Sequence, residues 1–252
     1  DALEVDAWLP TLTGLAVLYF IIGAAIRARE DWARVFRFSA LVLGVFISFT
    51  ALMLQKEHGG WYALVIGLLF IAEMYLSRNG WFEIGAPVLF TLGASLILQD
   101  FNVFEASYHL LTYSLIWLLA DLLAHFAFPN PRPLAWGVRG IGGILAFVNY
   151  LILFGESDAS TAAIGFAIYT LLFLIISLLY RQATLFYAFT LTLPLFVTCL
   201  FRAFGVTKWI HPVMVVAVLY YGAGFLLRFV KRAPGWDLSL LYSGLGLGVI
   251  VS

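Results

Sequence analysis

Residues 17–27 (VLYFIIGAAIR), 68–78 (LLFIAEMYLSR), 171–181 (LLFLIISLLYR) and 218–228 (VLYYGAGFLLR) share one plan. An aliphatic residue, a Leu and an aromatic are followed, after seven residues, by an Arg that closes an apolar stretch. A degenerate copy at Ile116-Trp117-Leu118 has Phe126 in place of the Arg. The starts lie about fifty residues apart, or about a hundred where the degenerate copy intervenes, which is the self-similarity of a tandem array. The first and last copies also continue alike, Ser39 to Ser48 (SALVLGVFIS) against Ser243 to Ser252 (SGLGLGVIVS). The unit is two membrane-spanning helices repeated about five times, with hairpins at about 8–54, 61–98, 106–155, 162–200 and 211–252.

The composition agrees. Hydrophobic residues make up 63% and charged residues 11%, against about a quarter charged in a soluble domain. The apolar runs show no alternation, so they predict helices and not the strands of a membrane barrel. The expected fold is all-α, a polytopic bundle of about ten transmembrane helices forming one domain. A formal net charge of zero leaves no basic surface for nucleic acid. The single Cys, Cys199, sits inside a span and permits neither an intramolecular disulfide nor a thiolate metal cluster.

Charge bias orients the array. Eleven Lys and Arg, among them Arg34, Arg37, Arg78, Arg132, Arg139, Arg181 and Arg228, fall in segments after odd-numbered spans, against Lys56, Arg202 and Lys208 on the other face. The positive-inside rule then places the N-terminus outside the cytoplasm of a bacterial cytoplasmic membrane. Trp8, Trp61 and Trp209 mark one interface, and Trp32, Trp81, Trp136 and Trp236 the other. Arg27, Arg78, Arg181 and Arg228 are read as interfacial anchors that lay their stems along the helix and their heads at the phosphates.

Ionisable residues inside spans are costly and mark candidate sites. Glu73 and Asp121 occupy similar positions near the expected cytoplasmic ends of their spans, and His125 lies one helical turn after Asp121. Together they suit proton relay or cation binding. The plainer reading pairs Glu73 with Arg78, and Asp121 with His125, Arg132 or Arg139. Pro87 and Pro194 interrupt the fourth and eighth spans, and paired helix breaks are a pointer to a transporter site. Gly244 and Gly248 make a small-xxx-small face for helix packing. No metal site or cofactor motif is found, and no phosphate-binding loop, His-Glu-x-x-His or Gly-x-Ser-x-Gly signature occurs.

These features point first to a non-enzymatic multi-span scaffold or subunit, with the lipid bilayer and other membrane proteins as partners. The alternative is a small-solute or ion transporter with a midplane site near Pro87 and Pro194 and proton coupling at Glu73 or Asp121. A membrane enzyme acting on a lipid-linked substrate is a weaker third. Leu238 to Ser252 would rise only about 22 Å as a helix, short of a core of roughly 30 Å, so the stretch is expected to belong to a longer polypeptide.

Overall fold

The computed structural model describes residues 5–26, 28–54, 58–127, 134–156, 158–206, 208–230 and 235–251. Among them are ten helices: α1 (Val5–Ala25), α2 (Glu30–Met53), α3 (Gly59–Ser77), α4 (Phe82–Asp100), α5 (Ala106–Ala127), α6 (Ala135–Gly155), α7 (Ala159–Tyr180), α8 (Ala183–Ala203), α9 (Ile210–Val230) and α10 (Trp236–Val251). The first nine are long and apolar enough to cross a membrane, and α10 has 16 residues. The chain is an all-α polytopic membrane protein in contact with the bilayer. In lipid the backbone must satisfy its own polar groups, which is why each apolar run is helical.

Two helices start ahead of their apolar runs, α2 at Glu30 and α6 at Ala135. The basic residues Arg34, Arg37 and Arg139 therefore belong to helices instead of loops. Charged first turns are compatible with a helix entering the membrane interface, and Glu30 and Asp31 favour the positive end of the α2 dipole.

The chain divides into two compact units, Asp1–Asn149 and Tyr150–Ser252. In the first, Leu9, Ala16 and Phe20 of α1 pack with Ala40, Leu41 and Ile47 of α2, Ile66 and Leu69 of α3 and Leu89 of α4. Small residues let these helices approach, as expected where lipid removes the hydrophobic drive. A Cβ on Gly44 would stand 2.5 Å from Ile66 Cγ2, and one on Gly60 would stand 2.5 Å from the Gly93 carbonyl. In the second unit, Phe186, Val216, Tyr220 and Leu240 form a core. The Tyr150 ring meets Tyr169 edge-on at a centroid distance of 4.8 Å.

Local geometry recurs along the chain. α3 ends on Arg78 with φ 50°, and α7 ends on Arg181 with φ 51°, both left-handed. These residues are 103 positions apart, and each buried residue of α3, from Gly59 and Gly60 to Glu73 and Met74, has a buried counterpart 103 positions later in α7. The ends of α4 and α8 match at the same offset. Left-handed Asn102 is followed by a Val103 N–H donating to Leu98 O at 2.8 Å, and left-handed Gly205 by a Val206 N–H donating to Phe201 O at 3.0 Å. Both are Schellman closures that satisfy orphan carbonyls.

The first and last hairpins also close alike. A Cβ on Gly23 would meet Ala33 O at 2.9 Å, Arg37 Cγ at 2.7 Å and Arg37 N at 3.0 Å. One on Gly224 would meet Asp237 O at 2.9 Å, Leu241 Cγ at 2.9 Å and Leu241 N at 3.0 Å. Gly224 lies 201 positions after Gly23, and Asp237 and Leu241 lie 204 after Ala33 and Arg37.

Candidate functional site

Glu73 is the natural starting point, because a carboxylate on an apolar helix must find a partner. Its partner is Arg37 of α2, whose Nε lies 2.9 Å from Glu73 Oε2. The contact is ionic, at an angle that departs from a hydrogen bond. The expectation that Arg78 would pair with Glu73 is not met by this geometry: Arg78 caps α3 in the left-handed region and is exposed. The interhelical pair is buried, with side-chain exposures of 11% for Arg37 and 8% for Glu73.

A groove of about 660 Å³ opens beside this pair. Arg37, Glu73, Ser77 and Asn79 line it together with Arg34 and Glu30, which form an ion pair with each other, and Val35, Phe38 and Phe82 supply apolar walls. Ser77 donates its hydroxyl to Glu73 O at 2.8 Å, tying the end of α3 closed. The groove lies where α2 begins and α3 ends.

Asp121 has a separate partner. Arg139 of α6 reaches it through Nε at 3.1 Å from Oδ2, a pairing the sequence named among its options. Arg132, another of those options, and Arg27 lie outside the described residues. His125 stacks edge-on with Phe126 at 5.6 Å. The two carboxylates are thus committed to different arginines on different helices, α2 and α6. Among the described residues no group of three or more His, Cys, Asp or Glu could hold a metal ion.

The prolines are buried within intact helices. A proline frees the carbonyl four residues earlier, and for Pro194 that is Thr190. Tyr220 of α9 donates its hydroxyl to Thr190 O at 3.1 Å, so a side chain from the neighbouring helix supplies a donor to this carbonyl. Thr190 Oγ1 also bonds Ser243 Oγ of α10 at 2.8 Å, and Tyr150 Oη meets Thr192 Oγ1 at 2.7 Å. In α4, Thr91 donates to Pro87 O at 2.7 Å and accepts the Trp117 indole N–H at 3.1 Å. At the offset of 103, Pro87 corresponds to Thr190 and Thr91 to Pro194. The two prolines therefore stand one turn apart, within a shared proline–threonine register.

Gly244 packs within the chain, its Cβ position 2.9 Å from Tyr221 N, whereas nothing lies within 4 Å of Gly248. Arg181 and Arg228 are exposed at their helix ends. Sequence reading missed Arg37 as a buried partner, the buried Glu83 at the start of α4, and the Tyr220–Thr190 bond. Arg37 lies two turns inside α2, where its charged beginning meets the apolar run that follows. Nothing in sequence marks Tyr220 as the donor.

No protein-family model matches the chain, and comparisons with curated proteins and with solved structures found no match.

Proposed function

We propose that this chain is a non-enzymatic scaffold or subunit of a larger bacterial membrane assembly, built from tandem hairpins with its N-terminus outside the cytoplasm. The observation that carries this reading is the Tyr220 hydroxyl on the Thr190 carbonyl. A solute site at a broken helix needs freed carbonyls facing a cavity, and this one is already bonded by a packing contact. The arginine partners of Glu73 and Asp121 support the same reading, because paired charges fix the rotation of neighbouring helices.

Transport remains the alternative, favoured by one observation: the polar groove that reaches Glu73. Proteoliposomes holding the purified chain distinguish the two. The scaffold reading expects no protein-dependent proton or cation flux. A flux that Glu73→Gln abolishes, in a variant that is still folded and helical at the assay temperature, would replace it with ion-coupled transport.

A further inference from the structure

We infer that the face formed by α9 and α10 seats one more transmembrane helix, with the chemistry of α3, supplied from outside residues 1–252. This inference deepens the scaffold reading and rests on it. It starts from the shared closure of the first and last hairpins, in which Gly23 and Gly224 meet the same atoms of the following helix at nearly the same distances. With that register set, positions on α1 and α9 differ by 201, and positions on α2 and α10 by 204.

An apolar groove of about 590 Å³ runs along α9 and α10. Most of its lining falls on positions that are core in the first unit. Leu9, Phe20 and Leu41 are 2%, 5% and 3% exposed, whereas their counterparts Ile210, Tyr221 and Leu245 are 41%, 49% and 53% exposed. The difference is the covering helix. In the first unit α3 lies over this face, with Ile66 seated against Gly44 and Leu69 in the same core cluster. Gly248 is the counterpart of Gly44, and nothing lies within 4 Å of its Cβ position.

A helix suited to this face runs antiparallel to α10, as α3 runs to α2. It presents a β-branched residue to Gly248 and an aliphatic residue one turn later, and it begins with small residues as α3 does at Gly59 and Gly60. Lipid chains would cover an apolar groove without requiring a glycine, but close approach by a side-chain ridge does require one.

The test uses the full 252-residue chain, one copy per lipid nanodisc, titrated with a fluorescent peptide of residues 58–80 as the probe. Saturable binding that Gly248→Leu weakens at least tenfold is expected, with Gly222→Leu, on an open stretch of α9 away from the groove, leaving it unchanged. The space around Gly248 accepts the leucine without a clash, and unfolding of the variant without peptide checks that it is folded. As a second readout in a Cys199→Ser background, a peptide carrying Ile66→Cys should form a disulfide with Leu245→Cys when a copper–phenanthroline oxidant is added. Absence of saturable binding would mean a lipid-filled groove and overturn the inference. So would binding indifferent to Gly248→Leu, or, in discs loaded with two copies, self-association of two chains through Gly248 that excludes the peptide. The flux measurement tests the scaffold reading separately, so failure of one is distinguishable from failure of the other.

Discussion

Tyr220 stands one hydroxyl away from a backbone defect: its oxygen is 3.1 Å from the carbonyl of Thr190, the group that Pro194 deprives of its helical donor. In the low dielectric of a bilayer an unmet carbonyl is costly, so the bond holds α8 to α9 as well as repairing α8.

Tyr220→Phe should therefore lower stability by about 1–3 kcal/mol, the cost of a buried group left unsatisfied. Pro194→Ala restores an N–H to that carbonyl, and in its background Tyr220→Phe should cost clearly less. Unfolding of the four variants in one detergent checks this; equal costs in both backgrounds would show the bond to be incidental.

Breaking the Arg37–Glu73 pair from one side leaves a buried charge. Glu73→Leu or Arg37→Met alone is expected to cost about 3–5 kcal/mol, and the two replacements together less than the sum. Additive losses in the same unfolding measurement would show that the two side chains are not coupled.

Gly44 and Gly248, which lie 204 positions apart in the like segments 39–48 and 243–252, should respond differently to a methyl group. Gly44→Ala drives a Cβ to 2.5 Å from Ile66 Cγ2 and should cost about 1–3 kcal/mol through overpacking. Gly248→Ala meets nothing within 4 Å, and the better helix propensity of Ala should raise stability by up to about 1 kcal/mol. Matching losses at both sites would indicate that Gly248 is already covered.

Asp158 supplies a pH dependence outside the spans. The Thr161 hydroxyl, then the backbone N–H groups of Ser160 and Thr161, hold its carboxyl below the usual aspartate range. The folded value is the lower one, so the unfolded chain binds more protons as pH falls. The contribution of this cap is full above the unfolded pKa of about 3.9 and is lost as pH drops through the folded value. Asp158→Asn should reduce the fall in unfolding temperature on acidification from pH 6 to pH 3. An unchanged slope would assign that dependence to other carboxylates.

Helix number and the places of Arg78 and Arg181 at helix ends were legible because apolar run length and its punctuation are properties of the chain in one dimension. Span starts were less so: Glu30, Asp31, Arg34 and Arg37 in α2 and Arg139 in α6 lie ahead of the apolar runs, because a helix entering the interface tolerates charge that an apolar window excludes. For Glu73 the sequence offered Arg78, five residues on, whereas the partner is Arg37, on the preceding helix. Arg78 leaves the helix in the left-handed region, and which arginine reaches a carboxylate depends on how α2 and α3 are rotated against each other.

By itself, then, the sequence determined a helical membrane chain of about ten apolar runs and the likeness of residues 39–48 to 243–252, since each follows from hydrophobicity and spacing along the chain. Tertiary structure alone decided which glycine is filled and which is open, which carbonyl Tyr220 serves, and which arginine Glu73 meets. Those outcomes depend on ångström-scale approach between helices whose lipid-facing and partner-facing surfaces are equally apolar, so composition cannot tell the two apart.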